Sequence, residues 1–503
     1  MIQNKWDHSD TVPHLKRDLS FVDLLMTAVG GLVGSGWLFA SMTASSIAGP
    51  AAMLSWVIGG FAVIILGLSF AELAGMLPEA GGIIRYPRYT HGRFVSFLIG
   101  WAAMIAWAGV PPIEAEAVLQ YSSSYVHGLY NTAHHGSLTG PGFLVAVILV
   151  GFFFLINYLG VKLYARINTP MTFIKFAAPL LTIVAFLIVG FHPANFSKFG
   201  GFMPYGWGGV FSAISLGGII FAFTGFRPMM DLAGEAKNPQ RDIPLAFISA
   251  MIAVGILYLL LQLVFIGGVP AHALAKGWTT LSYASPYANL ALAMNLSWVA
   301  VILFGDAVLS PFGTGLVYAA GTPRGIMAFS KNGYFPKTFQ NVSRRGTPSA
   351  TILTYMMGPV SATVLRRTGS HMKRQYRMAG LSWLGPLGFV VGSLIFFWTG
   401  WPVDGELGLM SVVGLIIYAV YFWGDPNHSW ADIKGGVWLV VYMAFMILWA
   451  KIGTFGGTRA IPAPWDEITV AIVAIPFYYW AVGSGRVTEA IQEAEAVADR
   501  MDL

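Results

Sequence analysis

The sequence predicts an all-α polytopic membrane protein, and three observations carry the prediction. First, 56% of its 503 residues are hydrophobic and only 10% are charged, with a mean hydropathy of +0.66. That leaves too few polar side chains to cover a soluble body of this size, so lipid is the solvent for most of the surface. Second, apolar runs of roughly 20 residues, the length at which a helix crosses about 30 Å of hydrocarbon, recur along almost the whole chain. Third, Lys and Arg gather in alternate connections between those runs. Strands are excluded, because a membrane strand needs only about 10 residues and alternates in polarity. The 17 tryptophans and 59 glycines suit helices that anchor at headgroup level and pack through small residues.

Residues 1–20 contain Lys16, Arg17 and Asp18 and are too polar for a cleavable signal peptide. They read as a cytoplasmic tail, and the first span itself targets the chain. Spans then fall at about 21–47, 51–77, 94–126, 141–160, 168–190, 209–235, 244–268, 287–320, 349–365, 381–400, 407–423, 436–452 and 467–483. No room is left for a soluble domain, and 484–503 reads as a second cytoplasmic tail.

Charge orients the bundle. Lys5, Lys16 and Arg17, then Arg85, Arg88 and Arg93, then Lys162 and Arg166, then Lys237 and Arg241, then Arg324, Lys331, Lys337, Arg344 and Arg345 fall on one side. That side is expected to be the cytoplasm of a plasma or inner membrane. The alternate connections carry only Lys198 and Lys276. The run 349–365 breaks the rule, since one ordinary crossing there would put Arg366, Arg367, Lys373, Arg374 and Arg377 outside. Either that run is re-entrant or a span is absent near 345–349.

Several function classes are excluded. With Cys 0 there are no disulfides, thiolate metal sites or thiol chemistry. The net charge of +6 is spread through short loops rather than gathered in a patch, which argues for topology and against nucleic acid. All ten histidines fall in tails, loops or span ends, so no haem or metal site emerges. No glycine-rich loop ends in Gly-Lys-Ser/Thr, so no ATP-driven pump is indicated. The expectation is no enzyme and no cofactor.

Two interrupted helices carry the functional signal. Gly30, Gly31, Gly34 and Gly36 sit at the middle of the first span, where each glycine weakens a helix by about 1 kcal/mol relative to alanine. The sixth span carries Gly217 and Gly218 and then Gly225 and Pro228. Breaks there free backbone groups that only a polar cavity or ligand satisfies. The two breaks open segments five spans apart, an odd number, so a repeat of that size is inverted in the membrane, the best sequence pointer to a transporter site.

Several blocks resemble the amino acid, polyamine and organocation (APC) superfamily of permeases. They are GGLVGSGWLF at 30–39, AELAGMLPEAGG at 71–82, NYLGVKLYARIN at 157–168, FAFTGFRPMMDLAGEAKNPQRDIP at 221–244 and PRGIMAFSKNGYFPK at 323–337. The resemblance implies a leucine-transporter-like fold with inverted five-helix repeats, 21–190 and 209–400, and discontinuous first and sixth spans. Additional C-terminal spans occupy 407–483. The segment 348–367 resembles the family's tenth span, so the ninth is expected to be missing.

The implied activity is secondary transport of amino acids or related amines by alternating access, coupled to protons as a symport. A half-helix N-terminus suits a substrate carboxylate, and carbonyls at a half-helix C-terminus suit its ammonium. Gly34, Ser35 and Gly36 are therefore expected at the carboxylate. Phe221, Ala222, Phe223 and Thr224, with the carbonyls near Val29 and Gly30, are expected at the ammonium, and Phe223 or Phe226 over the side chain.

Ionisable residues inside spans each cost about 2.5 to 3.5 kcal/mol on insertion scales and mark function. Lys175, Asp306, Glu114 and Glu116 qualify. Glu114 and Glu116 cannot share a helix face, and Glu114 is the one expected to reach the substrate. Asp306 shares a face with Ser310 and Thr314. The resemblance implies that Lys175 takes the place a sodium ion holds in sodium-coupled relatives, bridging the first span to Ser310 or Thr314, so Lys175, Asp306, Ser310 and Thr314 form the expected coupling group. Glu72, Asp231 and Glu235 sit nearer span ends and suit caps, pairs with loop arginines or a cytoplasmic gate. The alternative reading is an amino acid receptor that does not transport, or a permease impaired by the missing span.

Overall fold

The computed structural model describes residues 19–78, 81–131, 137–158, 161–331, 348–372, 374–424 and 429–492. At 158, 161–166, 169, 320–328, 330, 331 and 348–353 it describes the backbone alone. Eighteen helices carry the described chain, with one two-residue hairpin, Tyr130–Asn131 (β1) and Ser137–Leu138 (β2). Among the described residues, ten helices are long and apolar enough to cross a membrane, or eleven if one bent pair counts as a single span. Polarity runs inside out, as lipid solvation requires. Phe61, Ile188 and Trp423 are more than 60% exposed, whereas Glu114, Lys175, Arg227 and Asp306 are at most 2% exposed.

The first segment opens with α1 (Phe21–Leu32), started by a capping box in which Ser20 accepts from the Asp23 N–H and Asp23 accepts from the Ser20 N–H. It stops at the glycine run, and Val33–Ser35 lie outside helix before α2 (Gly36–Ala48) resumes the crossing. α3 (Ala52–Met76) returns, α4 (Gly82–His91) lies across the connection, and α5 (Arg93–Ser122) crosses again. α6 (Gly140–Tyr158) and α7 (Val161–Val189) complete the first five segments.

The sixth segment breaks twice. α8 (Gly206–Leu216) meets α9 (Ile219–Phe223) at a 48° bend. That bend falls at Gly217-Gly218, because Gly218 adopts a left-handed φ of 81° that a residue with a Cβ rarely takes. A 3₁₀ turn at Thr224–Phe226 then separates α9 from α10 (Arg227–Asp231).

α11 (Pro239–Gly268) is followed by a short helix α12 (Pro286–Ala293) and by α13 (Ser297–Lys331). The eighth span thus begins at 297 rather than 287. Asn295, at a φ of 59°, turns the chain between α12 and α13. Then come α14 (Pro348–Thr368), α15 (Leu381–Thr399), α16 (Val403–Gly424), α17 (Trp430–Ile452) and α18 (Trp465–Ser484).

Contacts fix the direction of each segment. Phe329, near the end of α13, lies against Phe97 and Gly100 at the start of α5, so α13 ends on the side where α4 lies. α14 also ends there, because Arg366 binds Glu72 near the end of α3. Two consecutive segments therefore run the same way. Leu19 pairs with Glu235 and Lys237 on that side, where Gly81 also bonds Asp231. The far end of the chain returns to it too, with Arg486 bonding the Thr90 carbonyl and Thr488 the Tyr89 carbonyl.

Candidate functional site

The two breaks meet at the centre of the bundle through backbone. A Cβ on Gly31 would strike the Gly225 carbonyl, and one on Gly225 would strike Gly31 and the Leu32 nitrogen. A Cβ on Gly36 would lie only 3.0 Å from Ala222 Cβ. These positions need glycine for close approach rather than for unusual dihedrals. Tyr258 of α11 clasps both breaks, its hydroxyl donating to Leu32 O at 2.5 Å and reaching Ala222 O at 3.5 Å.

Side chains from three other segments satisfy the backbone groups that the breaks free. Lys175 Nζ donates to Gly30 O at 2.6 Å and to Thr314 Oγ1 at 2.9 Å. Thr314 donates in turn to Gly30 O at 2.9 Å. At the opening of α2, Ser35 N–H donates to Glu114 Oε2 at 3.0 Å. Gly34 lies between these two clusters, since a Cβ there would sit 2.7 Å from Thr314 Oγ1 and 2.9 Å from Glu114 Oε1. The break thus holds a carboxylate at its helix N-terminus and an ammonium at its carbonyl end, which is the charge pattern of an amino acid met by its own side chains.

The remaining expected residues divide. Glu114 is buried and turned to the break, whereas Glu116 is half-buried. Val29 O already accepts the Val33 N–H at 2.8 Å. Phe223 packs against Trp56 and Tyr258, and Phe226 stacks on Tyr355 at 5.3 Å and meets Phe247 at 5.0 Å. Both are fully packed core rings, while half-buried Phe221 packs with the cluster around Trp107. Thr224 donates its hydroxyl to Phe221 O at 2.8 Å. Ser310 donates to Asp306 at 2.8 Å, so these two pair along α13 one turn apart. Thr314, not Ser310, bonds Lys175.

Sequence reasoning did not single out Trp107, Arg227, Tyr258, Tyr318 or Tyr355. Tyr318 and Tyr355 both donate to Thr224 O, at 3.2 and 3.0 Å. Arg227 lies over the Trp107 ring at 4.2 Å. Arg227 falls inside the 221–244 block, and a buried arginine next to a break was the available signal.

On the α4 side one polar cluster ties α14 to α3. Glu72 accepts from Arg366 Nε at 2.9 Å and Nη2 at 2.5 Å and from the Met378 N–H at 2.8 Å, with Arg374 at 3.7 Å. The bidentate fork fixes the end of α14 on α3.

Residues 19–448 match the family model described as amino acid permease. The chain is 37% identical to the glutamate/serine transporter AimA of Bacillus subtilis, over 97% of each chain. It is 34% identical to the aspartate-proton symporter of the same organism, over 94% of this chain and 97% of the relative. The branched-chain amino acid permease BcaP, also of Bacillus subtilis, is 27% identical over 82% of this chain and 94% of its own. The match to AimA runs over 527 positions, more than the 503 residues present here, so that relative carries residues this chain lacks. The two meeting breaks, their charged lining and these matches agree, and the chain belongs to the amino acid permease family.

Proposed function

We propose that the protein is a proton-coupled amino acid symporter working by alternating access across a plasma or inner membrane, with its N-terminus in the cytoplasm. The observation that carries this reading is Lys175, whose ammonium sits on the Gly30 carbonyl and Thr314 hydroxyl at the first-span break. A cation held there ties α1 to α13 and so stabilises one arrangement of the broken segment against the rest. Release of its proton removes that tie. The relatives named as an amino acid transporter and as a proton symporter support both halves of the reading.

In this reading the substrate carboxylate docks at Gly34, Ser35 and Gly36, in place of Glu114. The substrate ammonium takes the carbonyls of the sixth-segment break around Phe221 and Ala222. Two carboxylates cannot share the same N–H groups while both are charged, so one of them enters the site with a proton. The test is uptake into sodium-free proteoliposomes under an inward proton gradient, with Lys175→Ala keeping binding and losing the pH dependence. Sodium-dependent uptake, or unchanged proton-driven uptake in Lys175→Ala, would refute the assignment.

A second reading concerns architecture, and the parallel course of α13 and α14 favours it. We propose repeats at 21–190 and 209–400, the second one span short near 345–349, with 407–483 as added spans. With no native cysteine, single cysteines report sidedness. Lys237→Cys and Ser370→Cys should label from the same side, and labelling from opposite sides would sink the reading. Binding without accumulation in the uptake assay would identify a chain that the missing span has left as a binder only.

A further inference from the structure

Arg227 begins α10 directly after the 3₁₀ turn and is 1% exposed. Its guanidinium carbon lies 4.2 Å from the centroid of Trp107 and 5.7 Å from that of Tyr355, so two aromatic faces hold the charge in place. Nε and Nη2 are both buried and have no hydrogen-bond acceptor among the described residues. Asp231 follows one turn along α10 and offsets the charge overall, but it accepts from neither nitrogen. Donors of a buried cation are normally satisfied, and two left open in one fork call for an acceptor from outside the protein.

The hydroxyls nearby point to the same need. Thr224 O accepts from Tyr318, from Tyr355 and from the Arg227 backbone N–H. A carbonyl oxygen offers two lone pairs, so three donors crowd one acceptor. The Arg227 fork and the Tyr318 and Tyr355 hydroxyls are donors of the kind a carboxylate takes.

The spacing along α5 suits a short dicarboxylate. Trp107 and Glu114 are seven residues apart on α5, hence on one face and about 10 Å apart along the axis. From bond lengths of about 1.5 Å, the two carboxylate carbons of an extended glutamate lie about 5 Å apart, and a hydrogen bond of about 2.9 Å at each end brings the donor-to-donor span to about 11 Å. Aspartate is shorter by one carbon.

We propose that Arg227, braced on Trp107 and helped by the Tyr318 and Tyr355 hydroxyls, receives the side-chain carboxylate of an acidic amino acid. The proposal rests on the reading above, in which the α-carboxylate docks at the opening of α2. Arg227 then sets specificity, and neutral side chains leave its fork unfilled.

The experiment measures binding to the purified full-length protein by thermal shift, using glutamate, aspartate, glutamine, serine and glutamate γ-methyl ester. Glutamate and aspartate should bind, the ester at least tenfold more weakly than glutamate. Arg227→Gln should reverse the preference of glutamate over glutamine, and Arg227→Lys should retain the acidic preference with reduced affinity. Binding of neutral but not acidic amino acids overturns the Arg227 assignment and leaves the transporter reading standing. Binding of none of the five overturns the Arg227 assignment and leaves the transporter reading to the uptake assay. Equal affinity for glutamate and its γ-methyl ester in the unmodified protein also overturns the assignment, and that comparison decides the matter if Arg227→Gln fails to fold. Undiminished glutamate affinity in a folded Arg227→Gln variant is a further refutation.

Discussion

Glu114→Gln tests how the site is charged before substrate arrives. The carboxylate accepts the Ser35 N–H at 3.0 Å from a fully buried position. A glutamine can accept the same hydrogen bond, so the variant changes charge with little change of shape. A substrate carboxylate docking at the same helix opening lies about 5 Å from it, and at an effective dielectric of about 20 two like charges at that distance cost about 3 kcal/mol. That is about a hundredfold in affinity. The unmodified protein should therefore bind its amino acid about a hundredfold more weakly when Glu114 is ionised than when it carries a proton. Glu114→Gln should bind tightly from pH 5 to pH 8 with no slope. Proton-driven accumulation in proteoliposomes should persist, since Lys175 still carries the coupling proton. Radioligand binding across that pH range measures the first effect. A Gln variant that keeps the unmodified pH slope, or binds more weakly at pH 8, would refute the reasoning.

Other perturbations follow from the same contacts. Gly34→Val should insert and fold but lose substrate binding, because its Cβ meets Thr314 Oγ1 at 2.7 Å and Glu114 Oε1 at 2.9 Å; radioligand binding to the purified variant checks this. Gly225→Ala drives a methyl into the backbone of α1 and should abolish the monodisperse peak on size-exclusion chromatography. Gly151→Ala, with nothing near its Cβ, should instead raise stability by up to about 1 kcal/mol. Arg366→Ala removes the fork from buried Glu72 while leaving the Met378 N–H, and with Arg366 partly exposed the cost should be about 1 to 3 kcal/mol, read as a lowered melting temperature.

His91, in the connecting helix α4, is fully enclosed between Thr90 and the Ala481 carbonyl, and burial lowers its pKa to about 4. The unfolded chain therefore binds the proton first as pH falls. The stabilisation of about 3 kcal/mol is present above pH 6.5 and lost between pH 6.5 and 4. The melting temperature of His91→Gln should depend less on pH across that window, and an equal dependence in both proteins would contradict this.

Much of the architecture was legible because its signals are local. Run length fixes a span, and a glycine cluster at mid-membrane fixes a break wherever the rest of the chain goes. Glu114 was separable from Glu116 because helix periodicity alone puts them on different faces. Lys175 was placed by its spacing along the fifth segment. What escaped depends on partners far along the chain. Arg227 takes its meaning from Trp107 on α5 and Tyr355 on α14, and no window of sequence holds all three. Phe223 and Phe226 looked suited to close over a ligand, yet each points into the core, where Trp56, Tyr258, Phe247 and Tyr355 surround them. The late start of α13 was hidden because Asn295 is an ordinary polar residue until its backbone turns left-handed.

The parallel course of α13 and α14 also decides where handles can be attached. Leu19, at the head of α1, is paired with the connection between α10 and α11, and Thr488, beyond α18, is paired with α4, so the first and last described stretches lie on one face. Two halves of a split fluorescent reporter fused to the two ends would share a compartment and assemble into one emitter.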